Sequence, residues 1–146
     1  MIITSKAEYA LLIMIDLALR PELQAVTSAA EISARQGLSP KLVPHLVSSL
    51  RSAGLVETMR GPGGGVSLSP TVDPHRVTVL QILRAVGENV VVRECAGPGR
   101  SCRRQETCPL RGTWNRVQSA VDGVLASTTL TQLAEMEENR PCYGLL

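Results

Sequence analysis

Three cysteines, Cys95, Cys102 and Cys108, lie close together in this chain, separated by six and five residues. Thiolates are soft ligands that bind zinc or iron–sulfur clusters, and cysteines at short intervals are more often metal ligands than incidental buried thiols. The spacing is wider than the Cys-x2-Cys pairs of structural zinc sites, and it matches none of the usual ferredoxin runs. The pattern therefore predicts a metal-binding segment but leaves the metal open.

Arginines surround these cysteines. The segment 93–111 contains five arginines and two glutamates, a local excess of three positive charges. Guanidinium groups offset the negative charge of a thiolate-ligated centre, so this charge balance supports the metal interpretation. The five arginines are Arg93, Arg100, Arg103, Arg104 and Arg111.

The composition fits a small protein that stays in the cytoplasm. Hydrophobic residues make up 44% of the chain but aromatic residues only 2%, so the core must be aliphatic. No apolar run is long enough to span a membrane, and the N-terminus lacks the pattern of a signal peptide. Four cysteines in such a chain indicate metal or redox chemistry rather than disulfides. Because the net charge is only +2, any nucleic-acid surface must come from the local placement of Lys and Arg.

An enzymatic function is not expected. A thiol oxidoreductase would need a Cys-x-x-Cys pair or a Cys/His dyad, and neither is evident in the spacing. No glycine-rich nucleotide-binding loop follows a predicted strand either.

The N-terminal half has the element order of a winged helix. We expect a first helix over 5–19, with Ser5 and Glu8 as its capping box. A second helix should follow Ser28 and end at Gly37, and a third should start at Ser39-Pro40, with Pro44 bending or delaying its first turn. Two strands, 55–60 and 66–68, then flank the glycine-rich turn 61–65. A helix-turn-helix followed at once by a hairpin predicts a mainly α fold with a small β-hairpin wing.

The C-terminal half adds a segment that should associate with a second copy. A short helix is expected to begin at Thr78, and the cysteine segment follows it. A long amphipathic helix and a last short helix near Thr129 complete the chain. The apolar residues of the long helix recur at three- and four-residue steps: Trp114, Val117, Val121, Val124 and Leu125. We expect a homodimer, with a DNA-binding domain at 1–90, a cluster-binding loop at 91–111, and a dimerisation helix and tail at 112–146.

Three motifs together resemble the bacterial iron–sulfur winged-helix transcription regulators of the IscR and NsrR type. These motifs are the stretch 5–11, the Gly54-Leu55-Val56 triplet and the Arg-Gly-Pro-Gly-Gly-Gly wing at 60–65, followed by the cysteine triad. The resemblance covers residues 1–138. It implies a homodimer that binds imperfect palindromes in double-stranded DNA, and acts as a repressor rather than an activator. It also implies an iron–sulfur cluster, 4Fe–4S or 2Fe–2S, that senses nitric oxide, redox stress or iron–sulfur status.

The expected DNA-binding residues fall into two groups. The third helix should enter the major groove with its N-terminal end leading, and the wing should lie along the minor groove, where the resemblance places the wing arginine. These residues are Ser39, Lys41, His45 and Arg51 on the helix, and Arg60, Gly61, Gly63 and Gly64 on the wing. Well-known members of the family have a Glu-Gln pair where this chain has Pro44-His45, so the resemblance does not supply the operator sequence.

A fourth ligand for the cluster is left open by the sequence. Arg111 stands where some family members have a ligating histidine, and other members use an acidic residue at the position of Glu8. Glu8 is the leading candidate, although a capping box with Ser5 would also explain it. Cys142 in the tail is the second candidate, while His75 reads as a surface residue. The alternative function is a winged-helix regulator with zinc or no metal, controlled by a metabolite or a protein partner.

Overall fold

The computed structural model describes residues 3–20, 26–96, 102–104 and 106–139. Within them, six α-helices and one two-stranded antiparallel hairpin surround an aliphatic core. The predicted mainly α class with a small hairpin wing is confirmed. None of the helices in these ranges has both the length and the apolar character needed to cross a membrane.

The first helix, α1 (Ser5–Ala18), forms the centre of the core. Ile13 and Met14 are fully buried, and helices from both ends of the chain pack against α1. Its N-cap is Thr4, whose hydroxyl accepts a hydrogen bond from the Ala7 N–H at 3.2 Å. The expected capping box between Ser5 and Glu8 is therefore wrong, because Ser5 is already the first helical residue and the cap lies one residue earlier, at Thr4.

The second helix, α2 (Ala29–Gln36), has the boundaries that its sequence predicts. The Ser28 hydroxyl accepts from the Glu31 N–H, and the Glu31 carboxylate accepts from the Ser28 N–H at 2.7 Å, which completes a capping box. Gly37 ends the helix in the left-handed conformation, with φ 63°. A residue without a Cβ adopts that conformation at no steric cost.

The third helix, α3 (Val43–Ser52), begins four residues later than its sequence predicts. The Ser39 carbonyl first closes a turn by accepting hydrogen bonds from Leu42 and Val43. Pro44 then occupies the first turn of the helix, where a residue that lacks an N–H is tolerated. The expected delay by Pro44 is confirmed, and Ser39 lies in the turn rather than in the helix.

The hairpin follows α3 directly. Strand β1 (Val56–Met59) pairs with β2 (Gly65–Leu68) in antiparallel register, with Val56 opposite Leu68. Thr27, which precedes α2, forms an isolated bridge with Val66 on the free side of β2. The wing strand is therefore bonded on both of its edges.

The remaining helices return the chain to α1. Helix α4 (Val79–Ala85) has a complete capping box at Thr78, and α6 (Leu130–Glu138) has one at Thr129. Between them lie a single 3₁₀ turn (Glu94–Ala96) and α5 (Arg111–Ser127). Leu130 of α6 is fully buried and belongs to the same core as α1. The C-terminal part of the chain thus shares one core with the helix-turn-helix.

Candidate nucleic-acid interface and metal-binding segment

The outer face of α3 is polar and open to solvent. Its inner residues, among them Leu46 and Leu50, are buried, and this packing leaves His45 and Arg51 exposed. Lys41 is also exposed, but in the turn before α3 rather than on the helix as expected. Ser48 and Ser52 are exposed on the same side as His45 and are not among the residues expected from the sequence. Their spacing of three and seven residues from His45 was the signal that could have found them.

The tip of the wing is shaped by its glycines. The Gly64 N–H donates to the Gly61 carbonyl at 2.9 Å, and Gly61 and Gly63 have φ of 96° and 75°. A Cβ on Gly64 would overlap the carbonyl oxygen of Met59. The turn therefore depends on residues without side chains, and its backbone can approach a phosphate closely. Arg60 is exposed immediately before this tip.

Cations on these two elements are free to meet an external anion. In the ranges that the structure covers, no carboxylate lies within ion-pair distance of Lys41, Arg51 or Arg60. The structure thus brings exposed positive charge to α3 and to the wing, as the sequence predicts. Such charge, placed beside a protruding helix, is what contacts with a phosphate backbone require.

A buried acid holds the helix-turn-helix to α1. Asp16 is only 4% exposed and receives a bidentate contact from Arg35, at 3.0 and 2.7 Å, and a further hydrogen bond from Gln36 at 3.1 Å. Burial raises the pKa of the Asp16 carboxyl, but the hydrogen bonds from Arg35 and Gln36, with the charges of Arg35 and Arg20, outweigh it. The pKa of Asp16 is therefore below its ordinary value of 3.8. This ionised pair fixes α2 against α1.

The three cysteines are free and at least partly accessible, but the structure does not gather them into a site. Cys95 lies in the 3₁₀ turn and is exposed, Cys102 is exposed, and Cys108 is half-buried just before α5. No group of three metal-ligating side chains is assembled among the described residues. Arg103 and Arg104 are exposed beside Cys102, whereas Arg100 lies outside the described ranges. Three free thiols on irregular, arginine-flanked backbone suit a thiolate-ligated metal centre by donor type.

The segment that leads into Cys95 is fastened to α5. The Gln118 side chain accepts from the Val92 N–H at 2.8 Å and donates to the Val90 carbonyl at 2.9 Å. It also donates to Asp122, at 3.0 Å. One amide therefore satisfies two backbone groups of the segment and holds its position on the helix. Sequence reasoning missed Gln118 because its two backbone partners lie 26 and 28 residues away.

Glu8 lies exposed in the first turn of α1, and no described residue donates a hydrogen bond to its carboxylate. The capping box with Ser5 does not form, so the local role left to Glu8 is that of an acidic residue in the first turn, where it favours the helix dipole. Its neighbour Ala7 is buried in a small apolar cluster with Val79 and Leu83, and Val90 packs against that cluster. The first turn of α1 and the segment before the cysteines thus share one packing site.

Two further residues, His75 and Cys142, were considered as cluster ligands. His75 is exposed in a turn, where its N–H donates to the Asp73 carboxylate, as expected for a surface residue. Cys142 lies outside the described residues.

Helix α5 has two unequal faces. Trp114, Val121 and Leu125 are half-buried against their own chain, whereas Val117 is 38% exposed and Val124 is 63% exposed. No residue of α5 is fully buried. A shallow groove runs along its outer side, lined by Thr113, Arg116, Val117 and Ala120. A long helix with exposed valines at this spacing suits packing against another helix.

Comparison with known proteins agrees with these features. A family model named Rrf2 and described as an iron-dependent transcriptional regulator matches residues 3–136. The chain is 37% identical to the HTH-type transcriptional regulator IscR of Vibrio campbellii over 136 residues, which cover 93% of this chain and 79% of that protein. The identity to IscR of Escherichia coli K12 is also 37%, covering 93% of this chain and 82% of that protein.

Solved structures share the fold. The structure of CymR, described as the global cysteine regulator of B. subtilis, has a TM-score of 0.77 and 34% identity, covering 93% of this chain and 98% of that one. The structure of T. potens IscR has a TM-score of 0.72 and 28% identity, covering 99% and 94%.

Proposed function

The chain belongs to the Rrf2 family of transcriptional regulators and is therefore a DNA-binding regulator rather than an enzyme; on this premise, we propose that it is a homodimer whose cysteine segment holds an iron–sulfur cluster. One observation carries the proposal. Three free cysteines occupy the segment between the contact with Gln118 and the start of α5, on the scaffold of a family described as iron-dependent. Because its target would be DNA, we expect the protein to act in the cytoplasm.

The ligands would be three thiolates and one carboxylate. Cys95, Cys102 and Cys108 supply the thiolates, and Glu8 of the partner subunit supplies the carboxylate. The cluster, of either the 4Fe–4S or the 2Fe–2S type, would add a redox-active centre with one exchangeable oxygen ligand, reactive toward nitric oxide or oxygen. The exposed Arg103 and Arg104 would offset the charge of the thiolates. Two observations support this ligand set. All three cysteines are at least partly accessible, and the Glu8 carboxylate accepts no hydrogen bond from a described residue.

Helix α1 would transmit the state of this site to the DNA-binding elements. Glu8 occupies the first turn of α1, and Asp16 near the other end of the helix binds Arg35 of α2. A force on Glu8 therefore acts on a helix to which the helix-turn-helix is bonded. We expect the two DNA-binding domains of the dimer to alternate between two orientations. The DNA affinity would differ between these orientations, and the protein would repress transcription in one of them.

On DNA, α3 would occupy the major groove and the wing the adjacent minor groove. Ser39 and Lys41 lead at the N-terminal side, and His45 occupies the middle of the exposed face. Arg51 lies further along, where it suits a phosphate contact. On the wing, Arg60 reaches the minor groove while the backbone at Gly61, Gly63 and Gly64 approaches phosphates.

The dimer would form through the outer face of α5. The exposed Val117 and Val124 and the groove beside Ala120 support a twofold contact between two copies of this helix. Two DNA-binding domains related by a twofold axis match the symmetry of an imperfect palindrome. In this arrangement, residues 1–90 bind DNA, 91–111 hold the cluster and 112–146 hold the dimer together.

A second candidate function keeps the DNA-binding role and replaces the sensor. The solved structure with a TM-score of 0.77 is described as a cysteine regulator, and the described cysteines are not assembled into a site. Zinc or no metal, with control by a metabolite or a protein partner, would fit these two observations.

Anaerobic purification separates the two functions. We expect a coloured protein with visible charge-transfer absorption, iron and acid-labile sulfide in equal amounts, and bleaching by nitric oxide. Glu8→Gln should lose iron faster while it keeps the fold of the parent, because no described residue donates a hydrogen bond to the Glu8 carboxylate. A colourless protein with stoichiometric zinc, or with no metal, would establish the second candidate instead.

A further inference from the structure

The guanidinium of Arg35 joins three parts of the DNA-binding domain. From α2, its Nε and Nη2 contact the two carboxylate oxygens of Asp16 on α1, at 3.0 and 2.7 Å. The same Nη2 donates to the hydroxyl of Thr27 at 2.7 Å. The planar fork of arginine suits such a two-sided contact, which a lysine ammonium cannot reproduce.

Thr27 connects this guanidinium to the wing. Its N–H donates to the Val66 carbonyl at 2.9 Å, and its carbonyl accepts from the Val66 N–H at 2.7 Å. A Cβ on Gly65 would overlap the Thr27 carbonyl, so the close approach requires a glycine there. Thr27 itself is 2% exposed. The wing strand is therefore attached to α2 through one buried threonine.

We propose that Arg35 is a positioning residue for DNA binding, which sets the wing at a fixed place relative to α3 by holding Thr27. Helix α3 and the tip at Arg60 must reach neighbouring grooves at the same time, so their separation affects affinity even though Arg35 need not contact DNA. This inference rests on the proposed contact of Arg60 with DNA. It adds a residue that affects DNA affinity from α2, away from the proposed DNA contacts of α3 and the wing.

A double-mutant cycle tests it. Thr27→Val removes the hydroxyl but keeps the shape of the residue and its backbone bonds to Val66. The four proteins are the parent, T27V, R60A and T27V/R60A, each titrated by fluorescence anisotropy with a duplex that the parent selects from a random-sequence library. We expect T27V alone to weaken binding by about 2- to 10-fold, the value of the hydrogen bond with Arg35. The longer bond from the Thr27 hydroxyl to the Glu31 carboxylate, at 3.2 Å, is lost as well. In the R60A background the effect of T27V should fall below about twofold, because the side-chain contact of the wing is then absent and only the backbone contacts of its glycines still depend on where the wing lies.

Matched variants separate positioning from general destabilisation. Ser33→Ala removes a buried hydroxyl on α2 whose one hydrogen bond among the described residues is to the Ala29 carbonyl, and it should bind DNA like the parent. Thr27→Ser keeps the hydroxyl and should bind DNA like the parent. If T27V folds poorly, Arg35→Lys, whose ammonium cannot reproduce the fork, replaces it in the cycle.

Equal effects of T27V in both backgrounds, or parental affinity of T27V, would overturn the inference while leaving the proposed function intact. An R60A protein that binds like the parent would overturn the wing contact and the inference together.

Discussion

Val124→Asp, on the outer face of α5, should weaken the proposed dimer by an amount that follows from the exposure of this residue. Val124 is 63% exposed in the single chain. Burying a whole valine side chain contributes about 1.5–3 kcal/mol, so its exposed part offers about 1–2 kcal/mol per copy. A twofold interface contains the substitution twice, which gives a loss of at least about 2–4 kcal/mol and raises the dimer Kd about 30- to 700-fold. Sedimentation velocity over a dilution series measures this change.

Met59→Asp is the matched control. Met59 is 62% exposed, nearly the same as Val124, but lies on the wing rather than on α5. It should leave the dimer Kd unchanged, and both variants should keep the helical content of the parent, since surface substitutions usually cost less than about 0.5 kcal/mol. Parental dimerisation of V124D, or equal dissociation of the two variants, would refute the assignment of the interface to α5.

Four further expectations concern the parts that support the site. Thr4→Ala should lower the free energy of unfolding by about 1 kcal/mol in a urea titration, whereas Ser5→Ala should change it by less than about 0.5 kcal/mol, because Thr4 is the true cap. Asp16→Asn should lower the free energy of unfolding by about 1–3 kcal/mol at neutral pH. This is less than the loss of a fully buried ion pair, because the Arg35 side chain is 36% exposed. Because the pKa of Asp16 is lowered, the advantage of the parent over this variant should disappear as the pH falls below 3.8. Gln118→Leu should speed the loss of iron to a chelator and lower the free energy of unfolding by about 1–4 kcal/mol, the value of three hydrogen bonds. Leu130→Ala should cost about 2–5 kcal/mol in the same urea titration, as it leaves a cavity where α6 packs on the core.

Local signals in the sequence were sufficient for the order of elements and for most helix starts. The capping box at Ser28 and the start signals at Thr78 and Thr129 depend on contacts three residues apart, so they can be read without knowing the fold. The first helix shows the limit of this approach. Thr4 and Ser5 both offer a hydroxyl, and only the backbone conformation decides that Thr4 is the cap.

Features that depend on distant residues could not be predicted from the sequence. Asp16 and Arg35 are 19 residues apart, and nothing local marks either as a partner of the other. The apolar repeat of the long helix was visible, but its division into an inner face at Val121 and an outer face at Val124 depends on where α5 packs. The spacing of the cysteines predicts a metal-binding segment, but the described structure does not bring them together. We expect their convergence to require the metal, since ligand binding and local folding are coupled.

The most direct test is DNA occupancy measured against cluster content, in the parent and in a variant with Cys95, Cys102 and Cys108 all replaced by serine. Titration of the selected duplex under anaerobic conditions, before and after exposure to nitric oxide, should show a change in affinity for the parent, in proportion to its iron and sulfide. The triple variant should contain neither iron nor sulfide and should show no response. A triple variant that matches the parent in metal content and in its response to nitric oxide would contradict the account.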